Sequence, residues 1–368
     1  LVIGGGMAAG PALAAEDSDI ANLIAGLIRQ QFRYIIIDPY ANAFNEEPNG
    51  ASWDKDDRSD FSSPWLWERK YEVDSLCYPI QLAWMLYANT GNADHFDAEF
   101  IAGVKKILDV FETEQHHERS PYFFIRDTDI PTESLSNNGK GSPVAYTGMT
   151  WSGFRPSDDA CTYHYLVPSN MFAAVVMGYL ERIFGGEILN DADIAARAGE
   201  LRRTITEGIE AHAKTTNRNG ETIYAFETDG LGHVNIMDDS NVPSLMAAPY
   251  LGYCAPDDPT YLATRRTLLS DENPYYYEGE YLKGIGSPHT PPRYVWPIAL
   301  SIEAMTSDNK DFKAHILDRL VATDAGTHLM HEGIDVNDPT KYTREWFSWS
   351  NMMFCELVMD YFDIRVKH

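Results

Sequence analysis

The sequence predicts an all-α fold, a toroid of paired helices of the (α/α)6 kind with its first inner helix missing or altered. Two observations carry this. Apolar residues recur at helical spacing in about ten segments. The links between those segments alternate between short and long, and the long ones are rich in Gly, Pro, Tyr, Trp, Asp and Asn.

The segments lie near 17–33, 75–91, 95–115, 168–185, 190–214, 240–252, 258–270, 293–306, 309–323 and 343–362. Short links join 75–91 to 95–115, 168–185 to 190–214, 240–252 to 258–270, and 293–306 to 309–323. The first member of each pair is the more apolar and is expected to be inner. The second carries a charged face, as in Asp193-Ile-Ala-Ala-Arg-Ala-Gly-Glu-Leu-Arg-Arg203, and is expected to be outer. A ring of such pairs gathers the loops 34–74, 116–167, 216–239, 271–292 and 326–342 at one end, and ordered loops this long are usually functional. A six-pair ring needs twelve helices, so a first inner and an outer helix are unaccounted for. The domain reading is an atypical segment 1–16, then a single catalytic domain over 17–368. Glu133–Gly141 reads as a flexible polar loop tip, and Asn217-Arg-Asn-Gly220 as a turn before a strand-like 222–226.

Composition narrows the function. A net charge of −26 disfavours nucleic acid and anionic membranes, which repel an acidic surface. No apolar run is long enough to span a bilayer. Cys77, Cys161, Cys254 and Cys355 form no paired motif and read as buried free thiols, three of them in apolar helical contexts. With no glycosylation sequon either, the cytoplasm is favoured over secretion. No metal-ligand spacing or nucleotide loop stands out: His116 and His117 are adjacent and point apart, and Leu1–Gly10 lacks the dinucleotide glycine spacing. No cofactor or metal is expected.

The candidate chemistry is carbohydrate cleavage. Asp158 and Asp159 end Trp151-Ser-Gly-Phe-Arg-Pro-Ser-Asp-Asp159, among Trp151, Phe154, Tyr163 and Tyr165. Rings stack on sugar faces while carboxyls move protons; the alternative is a loop whose aspartates cap and turn. Glycoside hydrolysis needs a second carboxyl, about 6.5–9.5 Å away in an inverting enzyme. Glu345, in Tyr342-Thr-Arg-Glu-Trp-Phe-Ser-Trp349, is the candidate. The acid must stay protonated near neutral pH, so a carboxylate or an apolar wall is expected beside it. Glu68, Arg69 and Asp74 before one inner helix, Arg155, Asp239 and Asn241 in Met237–Leu245, His289, and Trp346 are candidates for binding sugar. An ion-paired loop is the other reading of Glu68–Asp74, and capping explains one residue of the Asp238-Asp239-Asn241 cluster.

These stretches resemble glycoside hydrolase family 125, the metal-independent exo-α-1,6-mannosidases. The resemblance runs from about Ile20 to Tyr361. It rests on Ile37–Asn45, Trp67–Leu76, Gly153–Asp159 with Val167–Phe172, Asp238–Leu245 with Pro249–Gly252, Gly284–His289, and Tyr342–Phe347. It implies an (α/α)6 barrel and an inverting mechanism on a mannose-containing oligosaccharide or glycan. It also implies an Asp general acid on the Asp158–Asp159 pair and a Glu general base at Glu345. One departure stands out. The family's Thr-Gly-Asp and Trp-Leu-Arg-Asp-Ser motifs, which precede the segment matching Ile20, are absent from Leu1–Ala15. Their absence opens the alternative of a carbohydrate-binding or inactive homologue. Another toroidal glycosidase or a lyase is the remaining enzyme reading, and the acidic surface disfavours a lyase acting on uronates.

Overall fold

A computed structural model describes residues 14–15 and 17–364. The atypical segment 1–16, and with it the question of the first inner helix, falls outside these residues except for Ala14 and Ala15. The chain is helix-rich and divides into two compact units. The first comprises Ala14–Ala213 and Glu227–Asn235; the second comprises Lys214–Phe226 and the chain from Ile236 onward.

In the first unit α1 (Ser18–Ile37) starts at Asp17, whose carboxylate accepts the amides of Asp19 and Ile20. Its buried stripe of Ile24, Ile28, Phe32 and Ile35 packs on α3 (Ala98–Glu114) and α2 (Val73–Thr90). The α2 helix is buried continuously from Leu76 to Leu86, because that stretch is apolar on nearly every side, Gln81 apart. It meets α4 (Val167–Phe184), which is equally enclosed, through Tyr78 on Phe172 (5.0 Å) and Trp84 stacked on Tyr179 (5.3 Å). By contrast α3 and α5 (Ala192–His212) are amphipathic and bury one stripe each. The expected contrast between an enclosed helix and its charged partner therefore holds within each of these pairs.

A close approach makes one position sensitive. A Cβ on Gly103 of α3 would run into the ring of Phe32, which is fully buried. Overpacking costs about 1–3 kcal/mol, against about 1 kcal/mol that alanine gains over glycine in a helix. Gly103→Ala is therefore expected to lower the thermal midpoint. Adding Phe32→Leu should recover part of the loss; a midpoint above wild type for Gly103→Ala alone would refute the contact.

Short antiparallel pairings knit the long loops of this unit together. Ala43–Phe44 pairs with Leu66–Glu68, Arg58–Ser59 with Phe124–Ile125, and Tyr165–Leu166 with Glu227–Thr228, which also pairs with Val234–Asn235. The Glu133–Gly141 tip, expected to be flexible, is tied down instead. Glu133 binds Lys70 and Arg126, Lys140 Nζ donates to the carbonyls of Ser120 and Tyr122, and Asn137 and Asn138 adopt left-handed φ of 51° and 54°. Glu133 and Lys140 anchor the two ends, while Ser136, Asn137 and Asn138 remain exposed.

The second unit contains α6 (Pro259–Leu268), α7 (Pro297–Met305), α8 (Lys310–Ala322) and α9 (Ser348–Tyr361). Helix α7 packs on α8 and α9 over a core that includes Leu282, Val295, Leu300, Ile316, Leu320 and Leu357. The expected turn at 217–220 joins the hairpin Lys214–Thr216 and Thr222–Tyr224, with Gly220 at φ 78°. The helix expected over 240–252 is absent; that stretch is a succession of turns. Asp238 accepts the amides of Leu245 and Met246, both at 2.9 Å, which holds the chain in turns around a buried carboxylate. The cysteines are free, but Cys355 is exposed and Cys254 only half-buried, so the expectation of buried thiols holds for Cys77 and Cys161 alone.

Candidate active site

The Asp158–Asp159 pair sits where the segment leading into α2 is zipped to the Trp151–Asp159 loop. The amides of Gly153 and Phe154 both donate to the Tyr71 carbonyl at 3.0 Å, and the Val73 amide donates to Ser152 Oγ at 3.2 Å. A side chain at 153 would crowd the Tyr71 carbonyl, which is why glycine stands there. Beyond it the chain turns tightly. The Asp158 amide donates to the Arg155 carbonyl (2.9 Å), the Arg155 amide to the Asp159 carbonyl (2.8 Å), and Asp158 takes a left-handed φ of 68°. Left-handed backbone at a non-glycine residue is strained and clusters at functional sites.

This turn half-exposes Asp158 and buries Asp159. Asn42 Nδ2 bridges Asp158 Oδ1 and Glu68 Oε2, each at 3.1 Å, while its Oδ1 accepts the Lys70 amide. Buried Lys70 donates from Nζ to the Asp158 carbonyl (2.9 Å) and to Glu133 (2.8 Å). Arg126 joins Asp57, Glu68 and Glu133. Burial would raise the Glu133 carboxyl, but Lys70 and Arg126 outweigh it and hold that group below its usual range.

Two further carboxyls approach Asp158 from the start of α2. Glu72, at the N-cap, and Asp74, in the first turn, are both buried. Burial pushes Asp74 up to about 7, with the Asp158 charge adding to it and Ser169 opposing it. Burial raises Glu72 well above the usual carboxylate range, reinforced by Asp158 and Asp74. Two buried carboxyls, Glu72 and Asp74, thus lie near Asp158.

Arg155 is engaged by Glu227 at 2.7 Å, both side chains being buried. Glu227 also accepts from the amides of Thr162 and Tyr163 and from Asn235. Burial raises this carboxyl, but Arg155, His164 and Asn235 together bring it below the ordinary glutamate value. Arg69 is likewise enclosed, paired with Asp38 and Asp60 and set over the rings of Tyr40, Phe61 and Tyr122. Around Arg69 the ion-paired loop is realised. The rings of Trp151, Phe154 and Tyr165, read from the sequence as sugar platforms, are fully buried. Trp151 is stacked between His117 and His164. Exposed rings in this unit include Trp53 (66%) and Trp67 (38%), packed edge to face, together with Phe61 and Tyr146.

In the second unit Glu345 follows the strand Asp338–Thr343. Its carbonyl oxygen lies 2.7 Å from Nδ1 of buried His331, which stacks on Tyr342 at 3.7 Å. The Phe347 amide donates to the Met330 carbonyl, and Arg344 pairs with Glu332. The backbone is thus fixed while the side chains of Glu345 and Trp346 are exposed. Asp239 and Asn241 bind one another (3.0 Å), and His289 is half-buried.

Of the sequence candidates, Glu68, Asp74, Asp158 and Asp159 are brought together within the first unit. Asp239, Asn241, His289, Glu345 and Trp346 belong to the second. Sequence reasoning missed Asn42, Lys70, Glu72, Arg126 and Glu227. The alternation Lys70-Tyr-Glu-Val-Asp74 ahead of an apolar helix was the available signal for Glu72; nothing local marks Glu227 as the partner of Arg155.

A model of the metal-independent α-mannosidases, glycoside hydrolase family 125, matches residues 8–359. The chain belongs to glycoside hydrolase family 125. It is therefore a glycoside hydrolase of the metal-independent α-mannosidase type, as its sequence motifs implied. A Streptococcus pneumoniae metal-independent α-mannosidase, solved in a non-productive complex with α-1,6-mannobiose, is 55% identical with a TM-score of 0.96. That likeness covers 98% of this chain and 85% of the other. The Meiotically up-regulated gene 157 protein of Schizosaccharomyces pombe is 38% identical over 95% of this family 125 chain and 71% of its own length. A bacterial glucoamylase complexed with acarbose shares the fold at 12% identity, with a TM-score of 0.53 over 82% of this chain and 42% of its own.

Proposed function

We propose that this family 125 enzyme is an inverting exo-α-mannosidase that hydrolyses terminal α-1,6-linked mannose. The observation that carries the reading is a carboxyl cluster around Asp158 within a chain 55% identical to a protein solved with α-1,6-mannobiose. One of Asp158 and Asp159 is the general acid. It gives a proton to the glycosidic oxygen as the C1–O bond breaks. Glu345 is the general base: it takes a proton from the water that adds to the opposite face of C1. Its exposed carboxylate on a fixed backbone suits that task. Glu68, Asp74, Asp239, Asn241, His289 and Trp346 are proposed to contact sugar. Arg69 and Arg155 act from beneath, holding their loops. We also infer a single (α/α)6 ring for the catalytic domain, supported by the glucoamylase likeness and by the contrast between enclosed and amphipathic helices.

The deciding experiment follows α-1,6-mannobiose by proton NMR from the first turnover. The first-formed free mannose should be the β-anomer; accumulation of the α-anomer first would overturn inversion. Binding of mannobiose without release would favour an inactive homologue. Pre-treatment with EDTA should leave the rate unchanged, and a loss restored by one specific cation would refute metal independence for this chain.

A further inference from the structure

We infer that the second unit carries a separate binding site for a neutral sugar, built from the hairpin 276–285 and helices α7 and α8. It does not depend on the hydrolytic reading above. The site is a cavity of about 400 Å³, within the roughly 300–1,000 Å³ of small-molecule sites. Tyr276–Glu278 pairs with Lys283–Ile285 in antiparallel register and lines one side. The tip of this hairpin is pinned: the Glu280 amide donates to Asn337 Oδ1 at 3.0 Å, and the Tyr281 amide to the Val336 carbonyl at 2.9 Å. Phe312, His315, Ile316 and Arg319 follow one another at helical spacing along α8, so one face of that helix lines another side. Buried Leu282, Leu300 and Ile316 close the cavity toward the core of the unit.

Polar groups of both kinds line this space. Glu303, the charged residue of the otherwise apolar α7, brings a half-buried carboxyl. Burial raises that carboxyl, and the charges of Arg265 and Lys283 oppose the rise. Lys283, His315 and Arg319 are exposed at the lining, and Glu280 adds a second acid. Among the described residues, the side chains of Glu303, Lys283, His315 and Arg319 make no hydrogen bond or ion pair. In contrast, Arg69, Arg126 and Arg155 are each held by carboxylates. A carboxyl withdrawn from water without a donor is costly, and a ligand hydroxyl can supply the donor. An anion entering the cavity meets Glu303 and Glu280; a cation meets Lys283 and Arg319. A neutral sugar suits both, because its hydroxyls donate to carboxylates and accept from ammonium and guanidinium groups. Tyr276, Tyr281 and Phe312 add the ring surface on which sugar faces pack. None of Asp239, Asn241, His289, Glu345 and Trp346 lines the cavity.

The test reads the cavity through the methyl NMR signal of Ile316 in the full chain labelled at isoleucine methyls, assigned with Ile316→Val. Mannose and glucose are the probes, with inorganic phosphate and ethylamine as charged counterparts. A sugar should move the signal saturably, with half-saturation on the order of millimolar, as befits a ligand of few atoms. Glu303→Met, and Lys283→Ala combined with Arg319→Ala, should each raise the half-saturating concentration about tenfold or more, the loss of hydrogen bonds to charged groups. Lys283 and Arg319 are exposed, so the double variant serves if Glu303→Met does not fold. Hydrolysis of α-1,6-mannobiose by these variants should stay within a few-fold of wild type; a parallel fall would overturn the separateness of the site. A signal unmoved by both sugars, or moved as strongly by phosphate or ethylamine, would overturn the inference. So would equal half-saturation in wild type and the double variant. Each of these results leaves the hydrolytic reading standing, whereas a wild type that releases no mannose fails that reading and leaves the sugar site untouched.

Discussion

Asp→Asn at the general acid, one of Asp158 and Asp159, is expected to lower mannobiose turnover about 10²- to 10⁴-fold, the range for loss of a positioned general acid. An amide cannot protonate the departing sugar oxygen, so the C1–O bond must break toward a strongly basic leaving group. An acidic phenol needs no such help, and an aryl α-mannoside bearing one should recover most of the loss. Glu345→Gln should fall by a similar factor on mannobiose and show no recovery on the aryl substrate, because water activation is then the missing step. The contrast between the two variants is more informative than either rate. Near-normal turnover of a folded Glu345→Gln protein would remove the base assignment.

Glu227→Ala is expected to destabilise the fold by about 3–5 kcal/mol, the cost of breaking a buried ion pair by removing one partner. Arg155 Nε loses its carboxylate at 2.7 Å, and the amides of Thr162 and Tyr163 and the side chain of Asn235 lose an acceptor with it. Replacing both charges, as in Arg155→Met with Glu227→Leu, should cost less than the sum of the single changes, so denaturant unfolding of the double-mutant cycle isolates the pair. Acid should act the same way. The carboxyl of Glu227 is lower in the folded than in the unfolded chain. Its stabilisation is therefore complete above the ordinary glutamate value of 4.5 and is lost as pH falls through the folded value. Wild type should lose stability below about pH 4.5 more steeply than Glu227→Ala; identical acid limbs would show that the pair contributes nothing there.

The sequence by itself determined the helical character of the chain and the contrast between enclosed α2 and α4 and amphipathic α3 and α5. Both follow from the period and breadth of the apolar pattern, which local chemistry writes directly into the chain. It also determined the family, because Gly153–Asp159, Trp67–Leu76 and Tyr342–Phe347 are long ordered strings of unusual residues. It misread 240–252, where apolar spacing suits a helix but a buried Asp238 draws the amides of Leu245 and Met246 into turns. Trp151, Phe154 and Tyr165 look like sugar platforms beside acids, yet burial is a property of the packed molecule, and tertiary structure enclosed them. Tertiary structure alone decided the partners. Arg155 finds Glu227 at a separation of 72 residues, and Asn42 reaches Asp158 at 116. Glu72 and Asp74 come near Asp158 only when the entry to α2 is zipped to the Trp151–Asp159 loop. Those contacts arise because loops far apart in the chain fold against one another, and no local pattern of residues records which charges will then face each other.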